Sequence, residues 1–146
     1  MNRTDSEKKN VKITVKTTIT NDGDSETFEL KTSGVLHSKA SADYLQYEEH
    51  DENGKIQTLV KFNDTDVMLK RSGSVKMKQN FHEAETTNGY YESMYGRLLM
   101  ETNTQKIVRE WDSVQREGLI RLLYRLNMQG NSLGTYLMEI TYREEA

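Results

Sequence analysis

Hydrophobic and polar residues alternate along most of this chain, beginning just after its charged first residues. In the first such segment the apolar positions are Val11, Ile13, Val15 and Ile19, and the polar positions between them are Lys12, Thr14, Lys16 and Thr18. A period of two over this length predicts a strand with one buried face. The turn-forming residues 21–24 follow, and alternation resumes with Phe28 and Leu30. We therefore predict a first β-hairpin.

The same pattern predicts further hairpins along the rest of the chain. Their strands cover residues 44–49 and 55–62, 67–71 and 75–81, 90–101 and 106–111, and 118–128 and 133–142. The turns are predicted at residues 51–54, 72–74, 102–104 and 129–131, where Gly, Asn, Asp, Ser or Thr cluster. Residues 37–43 are predicted to form a connection. Gly96 interrupts a strand pattern, which predicts a bulge or a sharp bend there.

About ten strands in successive hairpins, with no competing helix-period segment, predict an all-β fold. We favour a single antiparallel up-and-down β-barrel of about 8–10 strands, because closure protects edge strands in a chain without proline. A two-sheet sandwich stays open as the alternative, since alternation does not show whether the first and last strands pair. We expect residues 1–10 to form a flexible polar leader and residues 11–146 to form one barrel domain.

Composition and charge exclude several classes of protein. The chain has 146 residues and no cysteine, so it can bury one core but has no disulfide framework, thiolate nucleophile or cysteine-ligated metal site. No apolar run approaches the roughly 20 residues of a membrane span, and the first residues lack a secretory signal, so we expect a cytoplasmic protein without a membrane partner. The formal charge of −3 provides no overall field to attract nucleic acid.

Arg71 is the most informative single residue, because its charge conflicts with its position. It shares the alternation phase of Val67 and Leu69, which places its guanidinium on the inner face unless a bulge near Gly73 turns it outward. Three interpretations follow: an arginine that reaches solvent beside the turn, one half of a buried ion pair, or an anchor for an anionic ligand. The sequence leaves all three open.

Residues 70–78 carry four positive charges and no negative one, at Lys70, Arg71, Lys76 and Lys78. Such a hairpin can contact phosphates. A solvated face with lysines that guard a sheet edge explains the same pattern, and no aromatic residues for base stacking are interleaved with the cations. Binding of nucleic acid is therefore not the favoured interpretation.

The chain has eight tyrosines, several of them within predicted strands. A buried phenol needs a hydrogen-bond partner, so inward tyrosines either complete the core or line a small cavity with polar groups. The candidate ligand-binding residues are Arg71, Met77, Phe81, Tyr95, Tyr124 and Tyr136. His37, His50 and His82 lack metal-ligand spacing, and the sequence has no nucleophile elbow or phosphate-binding loop, so we predict no catalytic residue, metal or cofactor.

Several of these residues also carry a resemblance to a known group of proteins. Over nearly its whole length the chain resembles the YwiB-like family of uncharacterised bacterial proteins. The resemblance rests on residues 71–77, Phe81, Tyr95-Gly96 followed by Leu98 and Thr104, and Gly118 leading into residues 122–126. It implies a calycin-like barrel, a class that includes lipocalin-like carriers. The Gly-x-Trp signature of lipocalins is missing, since Trp111 is the only tryptophan, and the resemblance implies no catalytic residues.

The leading hypothesis is a non-enzymatic β-barrel that binds a small, partly apolar or anionic ligand in its interior. The alternative is a structural or interaction module that binds protein or RNA through the basic hairpin, residues 70–78. An enzyme has no positive motif in the sequence. It would need a cleft in which carboxylates such as Glu83, Glu101 or Glu110 face Arg71. No sequence feature indicates an oligomeric state.

Overall fold

A computed structural model of the chain describes residues 7–145. They form ten strands: β1 (Glu7–Asn21), β2 (Asp24–Ser38), β3 (Asp43–Asp51), β4 (Gly54–Phe62), β5 (Asp66–Gly73), β6 (Lys76–His82), β7 (Thr86–Ser93), β8 (Gly96–Asp112), β9 (Glu117–Met128) and β10 (Asn131–Glu144). Buried and exposed residues alternate as the sequence predicts. In β9, for example, the buried residues are Gly118, Ile120, Leu122, Tyr124 and Leu126.

Each strand is antiparallel to its neighbours in sequence, and β1 also pairs with β10 along the register from Val11↔Glu144 to Thr20↔Thr135. This last pairing closes the sheet into an up-and-down barrel. The predicted barrel is confirmed, and the two-sheet sandwich is excluded. Among residues 7–145, no helix is long and apolar enough to span a membrane.

The hairpin turns lie at or next to the positions predicted from turn-forming residues, with one exception. The β1–β2 turn consists of Asp22 and Gly23, both with positive φ (53° and 85°), the geometry that matches the twist of a two-residue hairpin. The exception is the β7–β8 hairpin, where the turn predicted at residues 102–104 was wrong. The chain turns at residues 94–95, and Gly96, with φ of 121°, follows that turn instead of bending a strand.

Two further predicted boundaries also differ from the structure. Residues 7–10 of the proposed leader, residues 1–10, belong to β1, which begins at Glu7 and pairs there with Ser38. The rest of that leader lies outside the described residues. The connection predicted over residues 37–43 is shorter, since β2 runs to Ser38 and β3 begins at Asp43.

The antiparallel order gives the barrel two different ends. One end, which we call the open end, carries the β1–β2, β3–β4, β5–β6, β7–β8 and β9–β10 turns, and the opposite closed end carries the other connections. The interior toward the closed end is filled by side chains, and we call this region the packed half. Its buried residues include Val11, Ile13, Leu45, Val60, Phe62, Val67, Phe81, Ile120, Leu122, Ile140 and Tyr142.

Arg109 links strands and connections at the closed end. Its guanidinium lies 4.9 Å from the ring centre of the buried Phe62, and its Nη2 and Nη1 atoms lie 3.0 Å from Asp43 Oδ2 and 3.1 Å from Asp64 Oδ1. Asp43 is the first residue of β3, and Asp64 lies in the connection between β4 and β5. One arginine on β8 therefore ties the start of β3 to the β4–β5 connection across the mouth of the packed half.

Candidate functional site

The other half of the barrel, toward the open end, contains a cavity of about 410 Å³. The volume lies within the range of small-molecule sites, roughly 300–1,000 Å³. Most of its wall is apolar, and four of the chain's seven methionines contribute to it: Met77, Met100, Met128 and Met138. Because methionine side chains are flexible and polarisable, this wall can adapt to different apolar shapes.

Arg71 and Glu49 form an ion pair on the wall of this cavity. Arg71 Nη2 donates to Glu49 Oε1 over 2.7 Å, and the two side chains are 29% and 18% exposed. Arg71 thus faces inward, as alternation predicts, and is partnered while still reaching solvent. A guanidinium carries five N–H donors. The bond to Glu49 is the only hydrogen bond that its side chain makes within residues 7–145, so donors remain for a further group.

A layer of buried polar residues lies next to the cavity. Gln79 Nε2 donates to Thr102 Oγ1 over 3.0 Å, and Gln79 lines the cavity. Thr58 pairs with Tyr47 on one side and Arg71 on the other. The hydroxyls of Thr58 and Thr104 are buried without a hydrogen-bond partner among the described residues. Buried polar groups are normally paired, so this layer retains unused hydrogen-bonding capacity.

Stacked aromatic rings connect the cavity to the packed half. The rings of Tyr124 and Tyr136 stack with their centres 5.2 Å apart, and Phe81 meets Tyr124 edge-on at 4.9 Å. Burial raises the pKa of the Tyr124 and Tyr136 phenols above their usual value, and burial followed by the charge of Glu49 raises the pKa of Tyr47 to about 12. At neutral pH these phenols are uncharged hydrogen-bonding groups.

Comparison with known proteins assigns the chain to a family. Residues 13–140 match the family described as a domain of unknown function, DUF1934. The chain is a member of this family. It is 33% identical over 132 residues to an uncharacterized beta-barrel protein, YwiB, of Bacillus subtilis strain 168. The aligned region covers 90% of this chain and 92% of that protein. The resemblance found in the sequence is confirmed.

A crystal structure supports the fold of this DUF1934 barrel. The crystal structure of the ywiB protein from Bacillus subtilis superposes with a TM-score of 0.84, at 30% sequence identity, and the match covers 95% of this chain and 94% of that one. The relative shares the architecture.

The structure brings together four of the six residues predicted to bind a ligand. Arg71, Met77, Tyr124 and Tyr136 all line the cavity of the DUF1934 barrel. Phe81 is fully buried in the packed half, beneath Tyr124. Tyr95 does not line the cavity, because it lies in the β7–β8 turn with 91% of its surface exposed.

The carboxylate that binds Arg71, on Glu49, was not among the predicted site residues. Glu49 continues the inward phase of Leu45 and Tyr47 on β3, so the rule that placed Arg71 inside also places Glu49 inside. The carboxylates that an enzyme hypothesis required at Arg71 are exposed and do not line the cavity: Glu83, Glu101 and Glu110.

Proposed function

We propose that this DUF1934 barrel is a non-enzymatic binding protein for a small, partly apolar molecule that carries an anionic group. The observation that supports the proposal is the cavity itself, in which a largely apolar wall surrounds one arginine with uncommitted donors. The apolar part of the ligand packs against the methionines, and its anionic group binds the Arg71 guanidinium. Arginine suits this role because its planar donors match carboxylate and phosphate oxygens.

Glu49 gives the site a means of discrimination. In the free protein it holds Arg71 in place over 2.7 Å, so the guanidinium is already oriented along the cavity wall. A neutral ligand of the same shape lacks the ionised acceptor that makes a strong hydrogen bond with Arg71, whereas an anionic ligand shares the guanidinium with Glu49. No step of this proposal breaks a covalent bond.

Ligand binding is tested by thermal shift against a panel of aliphatic and aromatic carboxylates, each matched with the alcohol of the same carbon skeleton. We expect carboxylates to raise the melting temperature more than their alcohols, since a ligand at about 100 times its Kd stabilises a protein by about 2.7 kcal/mol. Isothermal titration then gives the affinity of the strongest carboxylate.

The Arg71→Gln variant should weaken the binding of the strongest carboxylate ligand by about tenfold or more, and leave the affinity for the matched alcohol unchanged. The control is Lys76→Gln, which removes an exposed charge of the same hairpin outside the cavity. If no compound in either series stabilises the protein, the binding function is rejected. If acids and alcohols bind equally well to both variants, the anionic requirement is rejected.

A second candidate function is binding of protein or RNA through the basic hairpin, residues 70–78. Lys70 on β5 lies directly opposite Lys78 on β6, and both are exposed. Like charges at opposed positions are unfavourable, and an anionic partner would relieve them. The other two cations of the hairpin contribute less to this surface, because Arg71 faces the cavity and pairs with Glu49, and Lys76 lies opposite Glu92.

Lys70→Glu combined with Lys78→Glu tests this second candidate. We expect the double variant to lose binding of a labelled single-stranded RNA, or of the proteins that the wild-type chain captures from a bacterial lysate. Identical binding by both chains rejects the interaction function.

A further inference from the structure

The barrel sheet is split between β2 and β3 on the side of the open end. The two strands pair only from Gly34↔Tyr47 to Ser38↔Asp43. Beyond Gly34, residues 24–33 of β2 pair with β1 alone, and residues 48–51 of β3 pair with β4 alone. Within residues 7–145, neither edge has a backbone partner across the split. We call this opening the β2–β3 cleft.

Gly34 marks the point where the cleft closes. A Cβ added to Gly34 would clash with the backbone oxygen of Gln46, so the two strands approach closely there. Toward the open end the cleft leads into the cavity, which Phe28 and Leu30 line from β2. Glu29 also borders the cavity, although alternation with its neighbours points it to the outer face of the sheet. The cavity therefore continues through the cleft to the outside.

The β2 side of the cleft is an exposed strand edge. Along residues 24–33, about half of the backbone N–H and C=O groups point away from β1 and into the cleft. Proteins usually blunt such edges with proline, a bulge, lysines or a short strand. This edge contains no proline, its ladder with β1 has no register shift, and Lys31 is its one lysine. At about 3.3 Å per residue it offers roughly 30 Å of unpaired backbone.

The two sides of the cleft are acidic. The carboxylates are Asp24, Glu26 and Glu29 on β2, and Glu48, Glu49 and Asp51 on β3. The cations that face them are Lys31 on β2 itself, Lys16 opposite Glu29, Lys55 Nζ at 3.8 Å from Glu48, and Arg71 at Glu49. Asp24 and Glu26 take part in none of the ion pairs found in residues 7–145. Residues 24–33 hold three carboxylates and one lysine, so pairing with a second copy would bring two net-negative edges together, and the charge favours a basic occupant.

We propose that the β2–β3 cleft binds an extended, lysine- or arginine-bearing peptide segment of another protein by strand addition to residues 24–33. Backbone hydrogen bonds to the free edge supply binding that does not depend on sequence. An apolar side chain of the segment covers the half-exposed Phe28 on the inner face, and the basic side chains next to it lie on the outer face, where they meet Glu29. Glu26 has the inward phase of Phe28 and adds negative potential to the same edge. This proposal is independent of the small-molecule site at Arg71.

The probe is a synthetic peptide of about eight residues in which lysine and valine alternate, acetylated and amidated at its ends. Two further peptides serve as controls: one with glutamate in place of lysine, and one with alternate backbone nitrogens methylated. Binding is measured by fluorescence anisotropy at low and high salt, and hydrogen exchange locates the protected amides. We expect the lysine peptide alone to bind and to protect amides within residues 24–33.

The double variant Glu26→Lys, Glu29→Lys should bind the lysine peptide about tenfold more weakly than the wild type at low salt. The matched control Glu101→Lys, Glu110→Lys reverses two exposed charges on β8 and should bind as the wild type does. The proposal is overturned if the lysine peptide does not bind, if the methylated peptide binds equally well, or if protection appears outside β2. It is also overturned if the two double variants bind with the same affinity.

Discussion

The two halves of this barrel are built from the same ten strands but fill their interiors differently. In the packed half the inward positions hold branched and aromatic side chains such as Leu45, Phe62 and Ile120, which are fully buried. In the cavity half the same alternation brings in methionines, tyrosines and the Arg71–Glu49 pair. The four buried polar residues of the described chain, Thr58, Gln79, Thr102 and Thr104, line the cavity or pair with cavity-lining residues.

This difference teaches that one alternating pattern can encode both a core and a site. Rigid side chains of fixed shape fill space closely and contribute most of the burial free energy. Flexible or polar side chains at equivalent positions leave space, and regions with such space are where proteins bind ligands. We therefore expect substitutions in the packed half to change stability, and substitutions in the cavity half to change binding.

The largest expected difference is between Phe62→Ala and Met138→Ala. Phe62 is fully buried and contacts the ring of Tyr142 and the guanidinium of Arg109, so its truncation should lower the free energy of unfolding by about 3–5 kcal/mol. Met138 is only partly buried and borders an existing cavity, so its truncation should cost about 1–2 kcal/mol, because less apolar surface is lost and little new empty space is made. Urea denaturation measures both losses. Equal losses would contradict the division of the barrel into two halves.

A smaller difference is expected between two arginines, one at each end. Arg109 at the closed end lies over the buried Phe62 and binds two aspartates, whereas Arg97 near the open end lies 3.8 Å from the Tyr90 ring centre and binds Glu92 over 3.3 Å. Arg109→Gln should lower stability by about 1 kcal/mol, and Arg97→Gln by less than about 0.5 kcal/mol, because the second site is exposed. Chemical denaturation at about 0.05 and 0.5 M salt checks both values. A larger loss for Arg97→Gln would mean that the closed end is not fastened by its arginine.

The sequence predicts those parts of the fold that have a local signal. Strict alternation located β1 and β9, and residues tolerant of positive φ located the β1–β2 turn. The β7–β8 turn was misplaced because residues 102–104, Thr-Asn-Thr, have turn composition, whereas the true turn holds the apolar Met94. Within β8 the pairing with β9 shifts at Gln105 by a bulge, which alternation cannot anticipate.

The candidate site was predictable to the extent that the inward–outward alternation along each strand determines it. The alternation along β5 placed Arg71 inside the barrel. The same rule applied to β3 also places Glu49 inside. Phase does not tell how far along the barrel axis an inward residue lies, which is why Phe81 falls in the packed half. The β2–β3 cleft depends on the relative offset of two paired strands, and no local pattern in either strand specifies that offset.

The pKa values of two tyrosines respond to different carboxylates in the two halves, Glu49 for Tyr47 and Asp43 for Tyr142. Burial raises the pKa of Tyr142 in the packed half and of Tyr47 beside the cavity to about 12, but only Tyr47 is also raised by the charge of Glu49. Glu49→Gln should therefore lower the pKa of Tyr47 and leave that of Tyr142 unchanged. Carbon-13 labelling of the tyrosine ring reports both by NMR titration. An equal change at both tyrosines would show that the variant loosens the whole barrel.

The same raised pKa values predict alkaline destabilisation. A phenol whose pKa is higher in the folded state stabilises the fold fully below its unfolded pKa, near 10, and this contribution is lost as pH rises through the folded value of about 12. Tyr142→Phe should therefore lose less stability than the wild type between pH 10 and 12. Urea midpoints across this range measure the difference, and parallel curves for the two chains would contradict it.

The smallest expected effect concerns His82 at the closed end. Its Nδ1 atom bonds to Asp66, and its Nε2 atom lies 3.5 Å from Glu85. The bond to Asp66 and then the charge of Glu85 raise the pKa of His82, and the bond to His82 lowers the pKa of Asp66. The histidine's contribution is complete below its ordinary pKa and is lost as pH rises through the raised value. The aspartate's contribution is complete above its ordinary pKa and is lost as pH falls through the lowered one.

Both contributions are therefore complete only between about pH 4 and 6.5, the ordinary pKa values of the two groups. His82→Gln should remove the extra free energy of unfolding in that pH window. As pH rises above the window, the variant should then lose less stability than the wild type. The effect is small because both side chains are largely exposed and water screens their attraction. His50→Gln, at an exposed position near the open end, is the control for the loss of a histidine elsewhere in the barrel. If it flattens the profile as much as His82→Gln does, the pH dependence does not arise at the closed end.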